Sequence, residues 1–177
     1  MPLKDLKIID PRNIFPEDFP VFVQSGDLRG IVGFGIRQRT KSNWNHSSVM
    51  RRPGHVCSQN LTYKEKPIAH FMKPGVILKF WTCHDMTAEE REKILLQIDV
   101  DLAKPVWGRF YDFPGVVGQF FGIRWFNIPW LNYCSEKVAR RIRVIIDAVK
   151  KYATPEDNDQ TFQDSKRMKL LGYWLDL

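Results

Sequence analysis

The chain has 177 residues, a net charge of +7 and a hydrophobic share of 44% that includes twelve Phe and six Trp, which suits one domain with a substantial core. No run approaches the ~20 apolar residues of a membrane span. The start, Met-Pro-Leu-Lys-Asp-Leu-Lys-Ile-Ile-Asp, lacks the apolar run and small-residue cleavage site of a signal peptide, so synthesis in the cytoplasm is expected.

Residues 1–24 are rich in proline (Pro2, Pro11, Pro16, Pro20) and read as a loosely structured lead-in to a single domain over 25–177. Gly26-Asp27 marks a turn, and the Gly-rich run from Gly30 to Ile36 reads as a strand. A second strand is expected around Asn43–Met50, closed by the turn signal Arg51-Arg52-Pro53-Gly54, and a third over His55–Thr62. Gly75–Thr82 is the clearest strand, continuously apolar and β-branched at its start.

Helical signals follow. Thr87-Ala88-Glu89-Glu90 is a capping box, and Ile94, Leu95, Ile98 and Leu102 recur behind it at helical spacing. A loop through Lys104–Gly108 leads to Tyr111-Asp112-Phe113 and then to an aromatic stretch with Phe120, Phe121, Trp125, Phe126 and Trp130. A last long helix is expected from about Asn132 to Tyr152, with Val138, Ile142, Ile145 and Val149 as its inner stripe and Thr154-Pro155-Glu156-Asp157 as its end. Strands followed by segregated helices make an α+β pattern.

Three cysteines, Cys57, Cys83 and Cys134, show no CxxC spacing and fit neither a disulfide framework nor a zinc site. No metal and no cofactor is expected. The basic excess gathers at Arg37–Lys41 and at Arg140, Arg141 and Arg143. Such charge can attract nucleic acid, anionic lipid or an acidic polymer, or simply form a solvated face. No helix-turn-helix, RNP or zinc-finger signature supports specific nucleic-acid binding.

Cys134 stands apart because Asn132-Tyr133-Cys134-Ser135-Glu136 places it in the first turn of a helix. Unpaired N–H groups and the positive end of the dipole favour thiolate there. A thiolate nucleophile needs a base and a group to orient that base. Of four histidines, His46 alone heads an expected core strand; His55 lies in a turn, His70 in a loop and His84 before a helix cap. Taken singly, a strand histidine is more often structural, and so is a cysteine among apolar neighbours.

Taken in order, Gly26-Asp27-Leu28, His46 opening a strand, Tyr111-Asp112-Phe113 and Tyr133-Cys134-Ser135-Glu136-Lys137-Val138 resemble the permuted NlpC-like hydrolases of the YiiX type. Those belong to the papain-like superfamily, with the histidine strand moved ahead of the cysteine helix. The resemblance spans roughly residues 25–165. It implies an antiparallel sheet or small barrel packed against helices, with Cys134 as nucleophile and His46 as general base. The family often places a glutamate on the strand after the histidine. Here Val56-Cys57-Ser58-Gln59-Asn60 offers no acid, so Gln59 is the expected orienter and Ser58 the other candidate. Tyr111, Trp125 and Trp130 are the expected substrate contacts.

The implied activity is amide hydrolysis through a thioester, on a peptide of the bacterial cell wall. Acyl esters or acyl transfer on the same site, and a non-catalytic viral or structural binding module, are the alternatives. A cell-wall substrate would require a phage setting or another route of release from the cytoplasm.

Overall fold

The run Val21-Phe22-Val23 puts apolar side chains on both faces of one strand, and such a strand is stable only where both faces are covered. In the computed structural model, which describes residues 6–27, 43–59, 62–110, 134–147, 149 and 153–176, this segment lies in the interior of a six-stranded sheet. The strands are β1 (Val21–Asp27), β2 (His46–Arg52), β3 (His55–Gln59), β4 (Tyr63–Pro67), β5 (Val76–Cys83) and β6 (Met168–Leu175). Their order across the sheet is β4-β3-β2-β1-β5-β6, and every pairing is antiparallel. Among the described residues the sheet is open, with β4 and β6 at its edges, so it is an antiparallel sheet and not a closed barrel.

Three α-helices are described: α1 (Ala88–Ala103), α2 (Cys134–Ile142) and α3 (Pro155–Asp164). One sheet face, with Phe22, Val49, Cys57 and Trp81, packs on Ile94 and Ile98 of α1, Val138 and Ile142 of α2 and Phe162 of α3. The other face, with Val21, Val23, Met50, Val56, Leu78 and Phe80, is covered by Ile14, Phe19 and Ile68. Each large side chain so buried contributes roughly 1.5–3 kcal/mol.

The expected lead-in therefore does more than precede the domain. Residues 21–24 are sheet, and Ile8 bridges to Tyr173 of β6. That approach needs Gly172, where a Cβ would collide with the Lys7 carbonyl. The expected strand at Gly30–Ile36 lies outside the described residues.

The capping box at Thr87 forms as expected, with Glu90 N–H donating to Thr87 Oγ1 at 3.1 Å and Thr87 N–H donating to Glu90 at 2.9 Å. The long helix expected over 132–152 is shorter. After Ile142 the backbone tightens, with Val144 and Ile145 N–H donating three residues back to Arg141 and Ile142. The β-branched run Val144-Ile145-Ile146 is a poor helix former. Thr154-Pro155-Glu156-Asp157, expected as a helix end, is instead the start of α3: Thr154 and Asp157 form a reciprocal capping box with Pro155 in the first turn.

A buried ion pair fastens α3 to the sheet. Lys79, mid-strand on β5, donates to Asp159 Oδ2 at 2.8 Å, and both side chains are almost fully buried. The indole N–H groups of Trp44 and Trp81 each donate to the same carboxylate at 3.0 Å. The Lys79 ammonium lies 4.8 Å from the Trp81 ring centroid, a favourable cation–π distance.

Candidate active site

Cys134 is the first residue of α2 and only 4% exposed. Its backbone position exposes it to the unpaired N–H groups of the first helical turn. The other two cysteines are held as thiols. Burial pushes Cys57 up to about 12, with Glu65 adding to the effect. Burial also pushes Cys83 up to about 11, helped by the bond in which its thiol donates to Asp85 Oδ1 at 3.2 Å.

His46 is the first residue of β2, half-buried, with Nε2 2.7 Å from Ser58 Oγ on β3. The register explains this partner. Met50 pairs with Val56, so Ser58, two residues on, shares a sheet face with His46, Ser48 and Met50. Gln59 falls on the opposite face. Its Nε2 donates to the Arg109 carbonyl at 2.7 Å, which fixes the segment that follows α1. The side chain beside His46 is thus Ser58's, and the two-residue period of the strand places Gln59, expected as the orienter, on the opposite face.

The segments carrying Cys134 and His46 are joined by α3. Asn158, fully buried, donates through Nδ2 to the Ser135 carbonyl at 3.0 Å and to Ser47 Oγ at 3.4 Å. Ser47 in turn donates to Gln24 Oε1 on β1 at 2.6 Å. The residues that directly follow the two candidates are therefore held by one amide group. The pleat also separates them: Ser47 lies on the face of Gln24 and Asn158, and His46, at the strand's first position, on the face of Ser58.

The remaining histidines are engaged elsewhere. His55 Nδ1 lies 3.1 Å from the Pro53 carbonyl, His84 Nδ1 lies 2.8 Å from the Arg167 carbonyl, and His70 sits beside Lys66. Tyr111, Trp125 and Trp130 lie outside the described residues. Sequence reasoning missed Asn158 and Gln24. The signal for Asn158 was present, since Thr154 followed three residues later by Asp157 is a helix-start pattern, and it places Asn158 on the helix's second turn.

No protein-family model and no curated protein matches this chain. Among solved structures, the metalloprotein yiiX from Escherichia coli O157:H7 aligns over 89% of this chain and 97% of its own, with a TM-score of 0.51 and 14% identity. The fold is YiiX-like. Within that YiiX-like fold the described residues contain no group of three or more His, Cys, Asp or Glu side chains placed to hold a metal ion. No described helix is long and apolar enough to cross a membrane.

Proposed function

We propose that this protein is a cysteine hydrolase that cleaves an amide bond through a thioester on Cys134, with His46 as the general base and Ser58 as the group that orients it. The observation that carries the reading is the Asn158 bridge, which ties the start of α2 to the start of β2. The YiiX-like fold and the order of the sequence motifs support it, because the papain-like group pairs a helix-start cysteine with a strand histidine.

The chemistry follows from the parts. Cys134 thiolate attacks the carbonyl carbon, and N–H groups of the first turn of α2 stabilise the developing oxyanion. His46, charged in the attacking form, gives its proton to the leaving amine, and water then hydrolyses the thioester with the imidazole as base. Ser58 at Nε2 leaves Nδ1 as the nitrogen that exchanges the proton. The neighbour's description as a metalloprotein has no counterpart in the described residues, which offer no ligand set for such an ion.

A cell-wall peptide is the proposed substrate, and an acyl ester is its rival on the same site. Turnover of muropeptide fragments against acyl esters separates them, and Cys134→Ala should remove either activity by at least about 10³-fold. A second reading, a non-catalytic binding module, is favoured by the burial of Cys134 and by the strand pleat that directs His46 away from α2. Wild-type protein that turns over neither substrate and shows no fast-alkylating thiol would establish that second reading.

A further inference from the structure

Beginning one turn along α2 from Cys134, α2 and the C-terminal end of α1 bring four cations onto one carboxylate. Asp101 of α1 accepts from Lys104 at 2.7 Å, from Arg141 at 2.8 Å and from Arg140, and Lys137 Nζ lies 3.5 Å away. Tyr63 of β4 lies against the cluster: its hydroxyl accepts from Arg141 at 3.0 Å, and its ring centroid is 4.8 Å from Lys137 Nζ. Among the other carboxylates on these elements, Asp99 is engaged by Arg51, Glu65 by Arg51 and Arg52, and Glu90 by Arg167, while Glu136 is buried beside Lys137 on α2.

The cluster is graded in depth. Lys137 and Arg141 are 3% and 0% exposed, whereas Lys104 and Arg140 are 33% and 37% exposed. Two cations thus form a floor and two a rim open to solvent. Surplus positive charge on the floor is expensive to hold out of water without a further anion. Moreover, among the described residues the buried Nε groups of Arg140 and Arg141 have no hydrogen-bond partner, although guanidinium donors are normally satisfied when buried.

We propose that this cluster is a binding site for a phosphate-type oxyanion, entering between Lys104 and Arg140 and held by Arg140, Arg141 and Lys137. A tetrahedral dianion offers several acceptors to the unsatisfied guanidinium N–H groups, and its charge offsets the surplus that Asp101 leaves. The protonation of Lys137 agrees with an unfilled demand for negative charge. Burial, together with the like charges of Arg141, Arg140 and Lys104, brings it down to about 7 despite Asp101.

The test is thermal unfolding of the full chain in inorganic phosphate against chloride of matched ionic strength. Phosphate at about tenfold its Kd should raise Tm by about 3 to 6 °C. The double change Lys104→Gln, Arg140→Gln alters only the rim, so the fold should persist while the rise disappears. Glycerol 3-phosphate distinguishes the source: a larger rise than with inorganic phosphate assigns the site to a phosphomonoester group, an equal or smaller one to the free anion. A Tm indifferent to phosphate, or a rise that survives undiminished in the double variant, would overturn the proposal. As a second readout, the NMR titration midpoint of Lys137 should move upward with phosphate, and an unmoved midpoint would count equally against it.

Discussion

His46 Nε2 lies 2.7 Å from Ser58 Oγ, and Gln59, one residue further along the same strand, reaches the Arg109 carbonyl instead. A single step along β3 therefore separates the residue beside the imidazole, the proposed orienter, from the residue that holds the Arg109 carbonyl. Ser58→Ala should slow iodoacetamide alkylation of Cys134 at pH 6 by roughly 10- to 100-fold, the scale of one positioning contact worth about 1.4 to 2.7 kcal/mol. Gln59→Ala should leave that rate nearly unchanged and instead lower stability by about 1–3 kcal/mol, since the Arg109 carbonyl loses its partner. The opposite assignment of effects would return Gln59 to the orienting role.

Cys134 should be alkylated well before the other two thiols. With Cys57 at about 12 and Cys83 at about 11, their thiolate fractions at pH 7 are on the order of 10⁻⁵ and 10⁻⁴. Peptide mapping after brief iodoacetamide treatment reads the order directly. Equal labelling of all three in folded protein would remove the case for a tuned nucleophile.

Asn158 joins the segments that carry the two proposed catalytic residues. Asn158→Ala leaves the Ser135 carbonyl and Ser47 hydroxyl without its amide, and should cost about 1–3 kcal/mol in urea unfolding. It should also slow Cys134 alkylation, because α2 then loses its fixed position on β2. A variant as reactive as the wild type would show that packing alone sets the geometry.

Asp159→Ala should be more damaging, by about 3–5 kcal/mol, because it strands the buried Lys79 ammonium and takes away the carboxylate to which the Trp44 and Trp81 indole N–H groups donate. The double change Lys79→Met, Asp159→Leu should recover much of that loss, as apolar replacement of a buried pair often does. Urea midpoints of the three proteins decide the matter.

Lys137 gives a pH dependence with a definite sign. Its folded value is lowered from 10.5 to about 7, so between those values the unfolded chain binds more protons and stability rises with pH. The penalty of burying a charged Lys137 is fully present below about pH 7 and fades above it. The slope should approach ~1.4 kcal/mol per pH unit between about pH 7.5 and 9.5 in phosphate-free buffer. Lys137→Met should flatten that rise, and a wild-type slope retained in the variant would assign it to another group.

The sequence by itself determined what depends on neighbours along the chain. The apolar run at Val76–Cys83, the turn at Pro53-Gly54 and the capping box at Thr87 each carry their structure locally, and Cys134 could be placed at a helix start from five residues. The α+β pattern follows from such elements in order. It did not reveal that Val21–Gln24 is interior sheet, because proline-rich surroundings mask a short strand whose two apolar faces matter only once β2 and β5 flank it. Nor could it choose between Ser58 and Gln59, since strand register is set by long-range pairing and one residue of slip exchanges the faces. The tertiary structure alone decided that choice. It also decided that Asn158 on α3 would join the segments of His46 and Cys134, and that Lys104, Lys137, Arg140 and Arg141 would converge on Asp101. Apart from the local Lys104–Asp101 pair, the contacting groups come from elements distant in sequence, and only packing brings them into hydrogen-bond range.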